Sequence, residues 1–349
     1  MSLRSRADNF HKEAEKVRAI KVDGRKLYGA INIYFHDHHI DSLRTRLDEV
    51  EAYPFDAFIV SDLGAFDVLS QRFPDAEFHL STQANCINSA AARAYQRMGF
   101  SRIVPGRETS LDDIRRIKDA APGLQVEAFA HGAMCVAYSG RCFLSAWMTD
   151  RSANLGSCSH SCRWEYKLLR GDTEGVGLFL EEGKRPGQYY PVFEGEDFTS
   201  IMSSKDICMI DHLEAMQEAG VDSLKIEGRM KSIYYTSVVT QGYRAALDRL
   251  EGRIDEDVYQ ALRAEVFGTS HREFSTGFYF GSKDIAIPTL ERYAREHIFV
   301  GTVGEPAEHG HLLHIKNQLR LEHPIEVLTP GRAPQRLASF TIRNAAGEQ

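Results

Sequence analysis

One repeated alternation restricts the fold of this chain more than anything else in it. Short apolar runs rich in β-branched and aromatic residues occur at 26–35 (KLYGAINIYF), 57–62 (AFIVSD), 77–83 (EFHLSTQ), 102–108 (RIVPGRE), 125–132 (QVEAFAHG) and 222–228 (DSLKIEG). Between them lie stretches with apolar residues at helical spacing, predicting helices over 41–53, 63–73, 88–98, 205–219 and 232–250, with another that Ser110 would cap. Strands alternating with helices in this way mean βαβ units and a parallel sheet. Six units make most of a (β/α)8 barrel, or alternatively an open doubly wound sheet. No GxGxxG follows any of the runs, which counts against a dinucleotide-binding version. Beyond about residue 270 the character changes: HIFVGTVGEP, HLLHIKNQLRL and PIEVLTPGR are short apolar runs separated by Gly and Pro. They predict a small β-barrel or sandwich. The expected organisation is a barrel-like domain over 1–270, carrying an inserted loop at 132–203, and a small β domain over 271–349.

The insert holds the chemistry. Four of the six cysteines, Cys135, Cys142, Cys158 and Cys162, fall between His131 and Tyr166 in the pattern C-x6-C-x15-C-x3-C, among Gly, Ser and Asn. Grouped thiolates suit a thiophilic metal centre, and a [4Fe–4S] cluster needs four of them. Zinc is the competitor, although structural zinc sites usually pair thiolates at C-x2-4-C, and only Cys158/Cys162 comes close. The bland alternative is four unrelated core residues; core cysteines do not cluster in a Gly/Ser/Asn-rich loop. Cys86 and Cys208 stand apart and read as core residues, with Cys208 on the predicted 205–219 helix as a reserve ligand. Histidine runs at 36–39 and 309–314 have loose metal-like spacing and read as solvated loop or strand-edge residues. Neither HExxH nor GxSxG occurs.

Bulk properties exclude other classes. Six cysteines in 349 residues, four of them clustered, do not form a secreted disulfide framework, and a reducing cytoplasm fits better. No apolar run approaches a membrane span, and the basic start MSLRSRADNF has no apolar stretch behind it, so no signal peptide is expected. A net charge of −7 argues against a broadly basic nucleic-acid binder. From 141 to 170, however, Arg141, Arg151, Arg163, Lys167 and Arg170 face only Asp150, Glu165 in sequence, a local excess that RNA phosphates require and that chance would also produce.

HGAMCVAYSGRCFLS at 131–145 closely resembles the signature of peptidase family U32, the collagenase-like proteases, and NLGSCSHSCRWEY at 154–166 resembles the branch that hydroxylates tRNA uridines in a prephenate-dependent way. HLSTQANC, SSKDIC, SLKIEGRMKS and FSTGFYFG extend the resemblance over most of the chain. It implies a barrel that begins inside its third unit, a C-terminal β domain that continues further in relatives, a [4Fe–4S] cluster, tRNA as partner and prephenate as oxygen donor. Other branches act on ribosomal RNA or a ubiquinone precursor, and the older name implies a peptidase, for which Cys135 with His131 is the nearby nucleophile–base pair.

In (β/α)8 enzymes reactive groups sit at the C-terminal ends of strands. The candidates there are Asn32, Asp62, Ser81, Gln83, Asn85, Arg107, Glu108, His131, Glu227 and Arg229. Arg107 and Arg229 would clamp a small dicarboxylate through the planar guanidinium fork, with Glu227 as acid/base or as a partner orienting Arg229. An internal salt bridge is the competing role for that pair. His131 would be a proton shuttle or a hydrogen-bonded supporting residue, and Tyr138 and Trp164 would stack a flipped base or pack against the cluster.

Overall fold

The strands between residues 28 and 133 each bury half or more of their residues, and polar residues just before several helices cap them. The computed structural model describes residues 14–343 except 22–23, 136, 140, 143, 150, 152–157, 165, 174–175, 184–185, 188, 193, 196–197, 200–204, 230, 282–296, 308–309 and 320–322. After α1 (Ala14–Ile20) come β1 (Tyr28–Ile31), α2 (Asp37–Thr45), α3 (Leu47–Glu51), β2 (Ala57–Val60) and α4 (Leu63–Arg72). β3 (Glu77–Leu80), α5 (Ser89–Arg97), β4 (Phe100–Ile103), α6 (Leu111–Ala120) and β5 (Gln125–Ala133) follow. Asp62, Asn88 and Ser110 cap α4, α5 and α6 by accepting from Ala65 N (3.0 Å), Ala91 N (2.9 Å) and Asp113 N (3.1 Å). In α6 the Asp113 carboxylate returns a bond to Ser110 N, completing a capping box, while Leu111, Ile114 and Ile117 bury one face.

The inserted region contains α7 (Leu144–Thr149) and an antiparallel sheet of β6 (Tyr166–Thr173), β7 (Val176–Glu182) and β8 (Tyr189–Val192). A ribbon of β9 (Glu194–Gly195) and β10 (Phe198–Thr199) follows. The chain then re-enters the central sheet with β11 (Asp206–Cys208), α8 (Leu213–Glu218), β12 (Ser223–Ile226), α9 (Ile233–Leu250), α10 (Glu256–Gly268) and β13 (Phe274–Ser275). Strands β1 to β5 lie side by side, all parallel, and β12 pairs in parallel with β5. This is the succession of units expected from sequence. β11 runs antiparallel along the last residues of β5 and carries β13 on its far side.

The expected closed barrel is not seen among the described residues, where the sheet runs from β1 to β13 with β12 branching from β5. A closed barrel of this type needs eight parallel strands. Among the described residues six are parallel in sequence order, and the antiparallel β11 occupies the other flank of β5. The predicted helix over 205–219 is also corrected: its first residues form β11 and only Leu213–Glu218 is helical. Asp206 and Ile207 are buried against β5 and β13, and that pairing overrides the apolar spacing. The stretch 274–281, assigned from sequence to a second unit starting at 271, contributes β13 and the buried Tyr279, whose hydroxyl donates to Phe129 O (2.8 Å). Near the C-terminus, β14 (Gly301–Ala307) and β15 (Gly310–Ile315) form one hairpin, and β16 (Glu326–Val327) with β17 (Gln335–Arg336) another. They are separate two-stranded sheets rather than a closed small barrel among the described residues.

Candidate active site at the strand ends

Six parallel strands deliver their C-terminal ends to one rim, where α/β sheets and barrels alike place their ligands. Asn32, just past β1, donates to Ser81 Oγ beyond β3 (3.0 Å), and Ser81 Oγ accepts again from Gln83 N (3.2 Å). Asn85 adopts the left-handed conformation (φ 52°) that turns this loop towards the one after β4. The two loops meet at Gly106. A Cβ there would lie 2.5 Å from Glu108 Oε2 and 3.3 Å from Asn85 Oδ1, so both acceptors crowd a place only glycine leaves open. Arg107 lays its guanidinium over the Phe129 ring, 3.7 Å from the centroid.

Five buried polar atoms on these loops have no hydrogen-bond partner among the described residues: Asn32 Oδ1, Asn85 Oδ1, Arg107 Nε, Glu108 Oε2 and Thr109 Oγ1. Leaving such groups unsatisfied is costly, and their concentration on adjacent strand-end loops marks a place built for a polar ligand. Asp62 does not join them, because its carboxylate is the cap of α4.

The cysteine loop is stitched to this rim. Glu108 Oε1 accepts from Ser139 N (2.8 Å), and Arg107 N donates to Ser139 Oγ (3.3 Å). At the loop's root, the buried Arg272 binds Asp206 and donates to Met134 O (3.2 Å). Cys135 is exposed, and Cys142, Cys158 and Cys162 are half-buried. Between the last two, His160 is left-handed (φ 54°) and its backbone N–H donates to Cys158 Sγ (3.4 Å). Hydroxyls of Ser145, Ser159 and Ser161 form a chain under this turn (2.9 and 2.6 Å). Trp164 donates to Ser159 O (3.0 Å) and Tyr166 to Ser161 O (2.8 Å). Trp164 is therefore a brace for the turn, whereas Tyr138 stands 60% exposed. Arg141 and Lys167 are exposed and Arg151 is half-buried; the side chains of Arg163 and Arg170 lie outside the described residues.

Four thiols with a backbone N–H turned onto one sulfur, and no carboxylate in the set, fit a soft polynuclear centre.

The end of β5 abuts the end of β12. Gly132 has φ +112°, and a Cβ on it would fall 2.5 Å from Glu227 O. Glu227 N donates to His131 O (2.9 Å), and the Glu227 carboxylate accepts from Arg229 N (3.3 Å), which folds it onto its own turn. His131 lies on β5 at a change of register. The β5–β12 register slips between Lys225 and Ile226, and such a bulge re-aims every later side chain. Its ring is buried against Tyr235, Tyr243 and Phe274, with Nδ1 3.3 Å from Tyr243 Oη. Burial first, with His271 and Lys231 adding and Asp206 opposing, lowers its pKa to about 3. A neutral imidazole in the core positions the strand ends; it does not pair with Cys135 as a peptidase dyad requires.

Sequence reasoning missed a second buried network inside the sheet. Glu127 receives Arg102 (3.2 Å) and Lys225. Burial works to raise its pKa, but Lys225 and Arg102 outweigh it and hold the carboxyl below its ordinary range. The signal was there: Glu127 and Lys225 each interrupt an otherwise apolar strand. Cys86 and Cys208 are packing residues, both pushed up to about 11 by burial. The histidines at 36–39 sit at the start of α2, where His39 Nδ1 accepts from His36 N (3.1 Å). His311 and His314 are exposed on β15, and His309 lies outside the described residues.

With this geometry in hand, the chain can be set beside known proteins. The model for peptidase family U32 matches residues 1–287. The chain belongs to peptidase family U32. Among similar proteins, tRNA hydroxylation protein P of Escherichia coli (strain K12) is 33% identical, over 99% of this chain and 83% of that protein. The tRNA hydroxylation protein P1 of Bacillus subtilis (strain 168) is 37% identical over 86% of this chain and 69% of that protein. The 23S rRNA 5-hydroxycytidine C2501 synthase of Escherichia coli (strain K12) is 33% identical over 89% of this chain, which spans 47% of that longer protein. No helix among the described residues is long and apolar enough to cross a membrane.

Proposed function

We propose that this U32 member is an RNA-modifying enzyme that adds a hydroxyl group at C5 of a tRNA wobble uridine, in the cytoplasm. In this reading Cys135, Cys142, Cys158 and Cys162 hold a [4Fe–4S] cluster, and prephenate, a small dicarboxylate, is the co-substrate. The names of the E. coli and B. subtilis relatives support the substrate class. The observation that carries it to these residues is the group of five unsatisfied polar atoms on the rim beside the cysteine loop.

When bound, such a cluster supplies electron transfer or activation of the co-substrate. The chain's own residues bind and orient. Glu108 Oε2 and Asn85 Oδ1, two acceptors against Gly106, suit the N3–H of a uracil edge. Arg107 Nε and the Thr109 hydroxyl supply donors for carbonyl or carboxylate oxygens. The exposed Tyr138 offers a ring for an unstacked base, with Arg141 nearby in sequence for phosphate. An anticodon loop presents such a base at little unstacking cost.

The test is nucleoside mass spectrometry of tRNA and ribosomal RNA from a strain lacking the gene. Loss of 5-hydroxyuridine-derived nucleosides, restored by the wild-type gene but not by Cys158→Ala/Cys162→Ala, is the expected result. Unchanged tRNA with a lost hydroxycytidine would move the substrate to ribosomal RNA. Unchanged nucleosides in both would overturn the assignment.

A further inference from the structure

A second cluster of ligating side chains lies outside the strand-end rim, where the C-terminal hairpins meet α10. Glu265 of α10, His297 and Glu326 of β16 each bring one ligand atom to within 4.8 Å of the other two. The three come from separate segments, so no local turn explains the convergence. Gly268, one helical turn beyond Glu265, makes room: a Cβ there would collide with Cδ2 and Nε2 of the His297 ring. The His297 backbone N–H donates to Gly268 O (3.4 Å), which fixes the ring over the helix end.

Glu265 is the independent observation that points to a ligand. It is only 9% exposed, yet it accepts no hydrogen bond from any described residue. Burial, and then the neighbouring Glu326, raise its pKa against the opposing pull of His297. Two carboxylates facing each other, one of them on a buried residue, with an imidazole as third corner, form a site whose negative charge a cation would offset. One imidazole nitrogen and two carboxylate oxygens are the hard-to-borderline donor set of zinc-type ions, with a fourth position for water.

We propose that Glu265, His297 and Glu326 bind a divalent ion of the zinc class, which clamps the C-terminal β segment onto α10. This site is independent of the cysteine loop and of the hydroxylation reading. Its ligands are nitrogen and oxygen, and this separates it experimentally from any metal on sulfur.

The test uses the full chain, purified anaerobically, freed of loosely held metal and loaded with one equivalent of Zn2+. Zinc-edge X-ray absorption is expected to show a nitrogen/oxygen shell at about 2.0–2.1 Å and no sulfur near 2.3 Å. Competition with a zinc-binding dye should show affinity falling at least about tenfold in Glu265→Gln and in Glu326→Gln. Cys158→Ala/Cys162→Ala should leave it unchanged. Glu326 is exposed, so its variant keeps the test meaningful even where Glu265→Gln fails to fold. A sulfur shell, no stoichiometric binding, or wild-type affinity in Glu326→Gln would each overturn the site; a shared proton between the two carboxylates would then account for their proximity.

Discussion

Arg272 grips Asp206 through Nη2 (2.7 Å) and Nε (3.1 Å), deep in the protein, and the same guanidinium reaches Met134 O at the root of the cysteine loop. One buried pair thus joins β11, the segment before β13 and the residue preceding Cys135. Removing one partner of such a pair strands a charge. Arg272→Ala should lower unfolding free energy by about 3–5 kcal/mol, measured by urea denaturation. Arg272→Lys should recover only part, because an ammonium cannot reproduce the fork. A loss below about 1 kcal/mol in Arg272→Ala would show that the loop root is held by other contacts.

Gly132 supports the rim in a different way. Its φ of +112° and the 2.5 Å approach to Glu227 O both exclude a side chain. Gly132→Ala should cost about 2–4 kcal/mol. Gly99 provides the control, with φ +106° and no atom within 4 Å of its would-be Cβ. Gly99→Ala should lose only the backbone part, about 1 kcal/mol. Equal losses at the two positions would mean that the contact with Glu227 contributes nothing.

His131 makes stability depend on pH. Its pKa is about 3 in the folded chain against 6.5 for an ordinary histidine. Between those values only the unfolded chain takes up the proton. Stability present above pH 6.5 is therefore lost as pH falls towards 3. Over that window the wild type should lose about 1.4 kcal/mol per pH unit more than His131→Gln. Parallel pH slopes for the two proteins would contradict the buried neutral imidazole.

Arg107 is the clamp proposed for the co-substrate. Arg107→Lys keeps the charge and loses the planar fork, so KM for the dicarboxylate should rise about tenfold with a smaller change in kcat. An unchanged KM in steady-state assays would place the clamp elsewhere, with Arg229 the next residue to test.

Much of this architecture was legible in the sequence because its signals are local. Six apolar runs separated by helical periodicity became six parallel strands, and Ser110 caps α6 as its position predicts. What was hidden depends on contacts distant in sequence. Nothing in SSKDIC announces that Asp206 needs Arg272, so the residues of β11 read as the start of a helix. Simple alternation along β5 would have placed His131 with Glu127 and Phe129; the slip between Lys225 and Ile226 sends it to α9 instead. The rim residues Asn32, Ser81, Asn85, Arg107 and Glu108 could be chosen from strand ends alone. Thr109 was missed because a lone hydroxyl after a charged pair carries no sequence signal.

Whether the cysteine loop beside this rim carries an iron–sulfur centre is decided by iron and acid-labile sulfide analysis of anaerobically purified full-length protein. The expected result is brown protein with about four iron and four sulfide per chain, bleached in Cys158→Ala/Cys162→Ala. Colourless wild-type protein, or protein carrying zinc on sulfur in place of iron, would contradict it.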